Sequence, residues 1–205
     1  MFDNFVKQMK TRDTGTEQLI KDTAKRVFFA EGKLHATTQD IANAAGISRT
    51  LLHYYYQSRD ELMKQVFNEA ARELNNGLHA LMDLKIPFKE KIGKMIDLFI
   101  TETLAHPYRE IFMITEMLEK DVDLYKLKEE SVPHIKKFMR EIDNEMAAGN
   151  IRKMNPKHFL MNMFALSSHP LLMRPLHSSL FNLSDKQYDR LMDERKKLVA
   201  DILFL

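Results

Sequence analysis

Residues Thr37–Leu62 read TTQDIANAAGISRTLLHYYYQSRDEL, and the spacing of their polar and apolar groups decides how the chain folds. Thr37-Thr38-Gln39-Asp40 has the form of a helix start, where a hydroxyl and a side chain three residues on each satisfy a free backbone amide. Ile41 and Ala42 then pack inward, and Ala45 is small where two helices cross closely. Gly46 permits the positive φ of a tight turn. Ile47 fills the apolar centre, and Ser48 caps a second short helix. Leu52 points back to the core, leaving Arg49, Thr50, His53 and Tyr54 outward. Two short helices joined by a glycine turn form a helix-turn-helix, whose second helix fits a DNA major groove while the first braces it.

Outward from this stretch, helix signals recur in both directions. Thr14-Gly15-Thr16-Glu17 has capping-box spacing, Leu19, Ile20, Ala24, Val27 and Phe28 repeat at helical intervals, and Gly32 ends that helix. Ser58-Arg59-Asp60-Glu61 launches a long helix through Leu62, Val66, Phe67, Ala70, Leu74 and Leu78. Ile92, Met95, Ile96 and Phe99 mark the next; Pro107 cuts it off and starts another through Ile111, Phe112 and Met117. A helix follows over about 123–148, which Pro133 kinks or divides and Gly149 stops. Asn155-Pro156 caps the apolar Phe159–Leu166 segment, and SSHPLLMRP (Ser167–Pro175) breaks it. Ser184-Asp185-Lys186-Gln187 opens the last helix, with Tyr188, Leu191, Arg195, Leu198, Ile202 and Leu205 along one stripe. The expected fold class is all-α, with about nine or ten helices. The N-terminal three-helix domain spans 1–62, its helix-turn-helix motif about 37–56, and a C-terminal helical domain spans 63–205.

Composition narrows the function classes. The chain of 205 residues contains no cysteine, which excludes disulfides and thiolate metal sites and suits a cytoplasmic setting. No apolar run is long enough for a membrane span, and MFDNFVKQMKTRD does not read as a secretory signal. The net charge is only +2, and the first 62 residues are almost neutral. A grip on phosphates there depends on where a few cations sit, not on bulk charge. No nucleophile elbow, phosphate-binding glycine loop or dinucleotide fingerprint occurs, so the chain does not read as an enzyme. His106, His134, His158, His169 and His177 are too scattered for a metal-ligand motif; neither metal nor cofactor is expected.

The ordered pattern T-T-x-D-I-A-x-A-A-G-I-S, then L-x-x-Y-Y and S-R-D-E-L, resembles the signature of the TetR family of bacterial transcriptional regulators. Upstream, Ile20, Ala24, Phe28 and Gly32 resemble that family's first helix, so the specific match covers roughly residues 16–65. The resemblance implies DNA-contacting roles at Thr37, Gln39, Ser48, Arg49, Thr50, His53, Tyr54, Tyr55 and Arg59. Thr37 would donate to a phosphate, Gln39 would pair with adenine, and Arg49 would read guanine bidentately. Thr50 and His53 would touch bases or thymine methyls; Tyr54, Tyr55 and Arg59 would hold the backbone. Several bland readings stand beside these: Gln39 merely solvated, Tyr55 a packing residue, Arg59 paired with its acidic neighbours. Tyr56 belongs in the core. Leu51 and His53 depart from the commonest pattern, which affects operator sequence before it affects binding.

For the remainder, the resemblance implies a repressor that binds a palindromic double-stranded operator as a homodimer and is released by a small, mainly apolar effector. Tyr188, Leu191, Arg195, Leu198 and Ile202 are the candidate dimer interface, with ordinary intrachain core as the other reading. Fourteen Met and 13 Phe make a soft interior, from which Met95, Phe99, Phe112, Met113, Met117, Phe138, Met161 and Phe164 are candidate pocket residues. The rival function is a helical small-molecule carrier or scaffold with no DNA role. Lys7, Lys10 and Arg12 form either a DNA-touching arm or a frayed terminus.

Overall fold

The computed structural model describes residues 14–119 and 125–204; of residues 116–119 and 125–128 only the backbone is described. The expected N-terminal arm and the side chain of Met117 lie outside the described residues. Among the described residues there are ten α-helices and no strand. They are α1 (Thr14–Lys25), α2 (Thr38–Ala45), α3 (Arg49–Tyr55), α4 (Arg59–Asp83), α5 (Phe88–Ala105), α6 (Arg109–Glu119), α7 (Tyr125–Ala147), α8 (Pro156–Leu172), α9 (Arg174–Leu180) and α10 (Asp185–Leu203). None is long and apolar enough to cross a membrane. The chain divides into two compact units at Glu69/Ala70, within α4, where the sequence placed the division at 62/63.

The first unit is organised by its caps. At Thr37 the expected box is complete: its hydroxyl oxygen accepts from the Asp40 amide at 3.2 Å, and the Asp40 carboxylate accepts from the Thr37 amide at 2.8 Å. At Ser58 the same device reaches one residue further back. Ser58 Oγ accepts from the Glu61 amide at 3.1 Å, while the Glu61 carboxylate accepts from the Gln57 amide at 3.0 Å. One feature departs from expectation. After Lys25 the first helix widens into a π-helical turn over Arg26–Ala30, closed by an i→i+5 bond from the Glu31 amide to the Arg26 carbonyl at 2.9 Å. Widening lets three consecutive large residues, Val27, Phe28 and Phe29, all reach the core. Gly32 then leaves the helix at φ 71°, as its position predicts.

The second unit is built around α5, which packs against α8 and α10. Phe88, Ile92, Met95 and Ile96 on α5 join Phe138 and Ile142 on α7, Phe159 and Met163 on α8, and Tyr188, Met192 and Val199 on α10 in one core. A charge lies inside it. Lys91 is 3% exposed, and its three donors are matched by the Met82 carbonyl at 3.1 Å and the two Glu141 oxygens at 2.7 and 2.8 Å. An ammonium can be buried only when its donors are satisfied in this way.

Of the two readings open for Pro133, division of the helix is ruled out, and the break expected within Ser167–Pro175 is present. Pro133 does not divide α7, and α8 runs through Pro170 to Leu172, so the break within that run falls at Met173. Proline inside a helix removes one amide and orphans the carbonyl four residues earlier. For Pro170 that carbonyl belongs to Leu166, and Arg195 Nε on α10 donates to it at 2.7 Å. The Pro170 carbonyl in turn accepts from the buried Tyr188 hydroxyl. Two side chains of α10 thus hold the irregular end of α8.

Two consequences are measurable. Arg195→Met should cost about 1–3 kcal/mol in denaturant unfolding, because it strands the Leu166 carbonyl. Pro170→Ala restores the missing amide, so the double variant should lose less than the sum of the two single losses. The second concerns His79, whose ring stacks on His134 at 4.3 Å with an interplanar angle of 7°. Burial, then the neighbouring His134, push the His79 pKa below the ordinary 6.5, while Asp83 and Glu130 oppose the shift. The unfolded chain therefore binds this proton more readily. Stability contributed by neutral His79 is present above about pH 6.5 and is lost as the pH falls through that window. His79→Phe, which keeps a ring over His134, should flatten the stability loss between pH 7.5 and 5.5; an unchanged slope would assign the loss elsewhere.

Candidate nucleic-acid interface

The candidate interface consists of α2, the turn after it and α3. Gly46 sits at φ 68°, and a Cβ there would meet nothing within 4 Å, so the glycine answers a conformational demand and not a steric one. The Ile47 amide returns to the Ala42 carbonyl at 3.0 Å and closes the end of α2. Ser48 Oγ then accepts from the Leu51 amide at 3.1 Å and starts α3. On the inner side of α3, Leu52 is 0% exposed and Tyr55 is buried; Ile47 is half-buried beneath the turn. On the outer side Arg49, Thr50, His53 and Tyr54 are exposed, as their spacing predicts. Tyr54 meets Tyr55 edge-on at 5.3 Å and 90°, so a buried ring orients an exposed one.

The near-neutral charge of this unit is partly explained by pairing. Lys21 meets Glu69 at 3.0 Å, Lys33 meets Glu31 at 2.8 Å, and Arg26 pairs with the same Glu31. Hydrogen bonding from Lys33 leads the effects that hold the Glu31 carboxyl below its usual range. Arg49 makes no ion pair among the described residues and stands exposed on α3. Its charge is therefore available where the others are spent within the unit.

Three candidate residues have side chains engaged within the unit, Tyr55 and Arg59 along the second reading the sequence left open for each. Tyr55 is a core residue, because the 100° step of a helix that turns Tyr54 out turns its neighbour in. The Thr37 hydroxyl donates to Asp40 Oδ2 at 2.7 Å, so its proton is engaged within the cap. That bond and the one from the Thr37 amide hold the Asp40 carboxyl below its usual range, the amide having the larger effect. Arg59 is turned inward. Its Nε donates to the Ala36 carbonyl at 2.9 Å, one terminal nitrogen to the Leu34 carbonyl, and the other to Asp60 at 2.9 Å. Gln39 is exposed and bridges to Asn43 Oδ1 at 2.8 Å. Asn43 went unremarked in the sequence, although its i,i+4 spacing from Gln39 puts it on the same exposed surface.

In the second unit the pocket candidates do not converge. Met95 and Phe138 belong to the core, and Met161 is exposed on α8. Phe99 and Phe164 meet edge-on at 5.4 Å, while Phe112 is buried and Met113 half-buried. Thr103, one turn after Phe99 on α5, is 0% exposed, and its hydroxyl has no hydrogen-bond partner among the described residues. The candidate dimer stripe also splits. Tyr188 is core and Arg195 is bound to Leu166, whereas Leu191, Leu198 and Ile202 are exposed. Leu191 and Leu198 line a cleft of about 400 Å³ together with Pro170, His177 and Phe181.

With this geometry in hand, comparison with known proteins is informative. Residues 20–66 match the family model described as bacterial regulatory proteins, tetR family. The chain is 30% identical over 92 residues to the HTH-type transcriptional regulator BetI of Agrobacterium fabrum, covering 42% of this chain and 45% of the relative. It is 31% identical over 90 residues to the BetI of Brucella anthropi, covering 41% and 46%. The matched part therefore spans less than half the length of these curated relatives, and both are named as regulators, not enzymes. Among solved structures, a bacterial regulatory protein in the tetR family from Rhodococcus RHA1 aligns with a TM-score of 0.66 at 16% identity, covering 94% of this chain and 98% of that one. A TetR family transcription regulator from Marinobacter aquaeolei VT8 aligns with a TM-score of 0.62 at 16% identity, covering 93% and 96%. At such low identity the structures speak to fold alone. Residues 20–66 are thus similar to the DNA-binding part of the TetR family of bacterial regulatory proteins, and the curated relatives matched over that part are named as transcriptional regulators.

Proposed function

We propose that this chain is a DNA-binding transcriptional repressor, which reads a palindromic double-stranded operator as a homodimer and leaves it when a small, mainly apolar effector binds. The observation that carries the reading is the division of α3: Leu52 and Tyr55 inward, Arg49, Thr50, His53 and Tyr54 outward. A helix of seven residues with four polar side chains on its free side fits the floor of a major groove. Arg49 reads guanine through O6 and N7, Thr50 and His53 lie against neighbouring base edges, and Tyr54 reaches the phosphate backbone. Ser48 and Gln39 flank this surface. At the start of α2 the phosphate contact passes to first-turn backbone amides, since the Thr37 hydroxyl is engaged by Asp40.

Dimerisation is supported by apolar surface the second unit leaves uncovered. Leu176, Leu180 and Phe181 in the α9 region and Leu191, Leu198 and Ile202 on α10 are all exposed. Apolar residues grouped in this way mark an interface. Symmetry then sets two recognition helices about 34–36 Å apart for successive major grooves. For the effector, the Phe99–Phe164 pair offers an apolar contact, and the unpartnered Thr103 hydroxyl, one turn from Phe99 on α5, one polar anchor. Release requires that the effector favour the non-binding state; moving the balance from 1:99 to 99:1 takes about 5.5 kcal/mol of preference.

Selection from a random duplex pool tests the whole reading, with a palindromic winner expected. Against that site, Arg49→Ala should weaken binding by about 1–3 kcal/mol and relax the base preference at one position in each half-site. Because Arg49 is exposed, the melting temperature should not move. Recovery of no sequence by the folded protein would remove the DNA-binding reading and favour a carrier. Independently, Leu198→Glu with Phe181→Glu should shift the sedimenting species from dimer to monomer; a dimer that survives both charges lies on another surface.

A further inference from the structure

We infer that Arg59 is a positioning residue, a clamp that fixes the DNA-facing start of α2 without itself holding a phosphate. The inference rests on the DNA-binding reading above and assigns a different job to a cation that the sequence places at the DNA backbone. All three guanidinium nitrogens are engaged: Nε with the Ala36 carbonyl at 2.9 Å, one terminal nitrogen with the Leu34 carbonyl, the other with Asp60 at 2.9 Å. The guanidinium also lies 5.6 Å from the centroid of the Phe28 ring, which is 0% exposed. A planar fork bound on one edge to two carbonyls and resting on an aromatic ring cannot swing toward solvent without releasing them together.

The two carbonyls it holds explain what the clamp is for. Leu34 and Ala36 lie in the connection between the π-helical turn and α2, where no helix supplies donors to their carbonyl groups. The connection has few bonds of its own: the Leu34 amide to the Gly32 carbonyl and the Ala36 amide to the Lys33 carbonyl, both at 2.9 Å. Ala36 immediately precedes Thr37, the residue that caps α2. Holding the Ala36 carbonyl therefore fixes the direction in which the chain enters α2, and with it the first-turn amides that face a phosphate. Arg59 is the first residue of α4, so one side chain ties the start of that helix to the start of the bracing helix.

Lysine separates the clamp from a phosphate ligand. A lysine keeps the charge and reaches a phosphate as well, but its single ammonium cannot hold both carbonyls in one plane. Operator affinity is measured from about 50 to 200 mM salt for the full chain, Arg59→Lys and Arg59→Gln, with melting curves recorded alongside. The clamp predicts that both variants bind about tenfold or more weakly, with the slope of log K against log salt unchanged. Wild-type affinity in Arg59→Lys, or a slope lower by about one in Arg59→Gln, would make Arg59 a phosphate ligand and overturn the inference. A lowered melting temperature with full affinity would do the same, since the residue would then be structural only. Amide exchange of the free Arg59→Lys protein provides a measurement without DNA: residues 34–40 should exchange faster than in the wild type while α3 keeps its protection, and unaltered exchange there overturns the clamp. If the wild-type chain selects no DNA, it is the DNA-binding reading that fails, and the exchange measurement still decides whether the clamp exists.

Discussion

Packing of the inner side of α3 is the constraint on which the rest depends. A helix of seven residues has too few internal bonds to offset the cost of its own nucleation, so it exists only where tertiary contacts hold it. Leu52, Tyr55 and the half-buried Ile47 supply those contacts as α3 packs against α2, in a unit whose buried residues also include Phe28, Phe29, Ile41 and Ala42. Once that side is fixed, helical geometry leaves no freedom in the other. Residues 49, 50, 53 and 54 must face solvent, whatever their chemistry. That outer surface is in this sense a by-product of a core, and its chemistry can vary without disturbing the fold.

The first unit protects this arrangement with side-chain bonds to backbone. The helix starts are capped by hydroxyls at Thr37 and Ser48, and the long helix by Ser58. The loop before α2 is held by Arg59. Such bonds satisfy groups that a helix end would otherwise leave open, and they fix direction as well as stability. The π-helical turn serves the same end from within: it places Phe28 and Phe29 in the core together, and Phe28 is the ring on which Arg59 rests. The second unit solves its own version of the problem with Arg195 and Tyr188, which satisfy and anchor the backbone around Pro170.

What could be read from the sequence follows from how local the signals are. Caps, glycine turns and apolar periodicity are decided within four or five residues, and each reading of that kind at Thr37, Gly46, Ser48, Asn155 and Ser184 is matched in the structure. The N-terminal pattern also carried the family, because its order is specific. Readings that require a distant partner are not settled by such local signals. Within Ser167–Pro175 the break comes only after Pro170, because Arg195, far along the chain, donates to the carbonyl that this proline orphans. Arg59 looks like an exposed cation until the carbonyls of Leu34 and Ala36 are found beside it. The π-helical turn has no local signature beyond three large apolar residues in a row.

The stripe on α10 shows the same limit in one helix. Tyr188, Leu191, Arg195, Leu198 and Ile202 follow a three-four spacing that suggests a single apolar seam. The structure rotates the true core to Tyr188, Met192, Val199 and Leu203, a spacing of four, seven and four that is equally helical. Two overlapping seams share Tyr188 and diverge from it. One is covered by α5 and α8; the other, at Leu191, Leu198 and Ile202, is not. A helix written with apolar residues over so wide an arc is costly to expose, and evolution has little reason to keep leucine on an outer face that stays in water. The second seam is the apolar surface on which the dimerisation proposed above rests. The half-open cleft beside it, lined by Phe181 and Leu198, has the apolar walls that a protruding side chain from a second copy would fill.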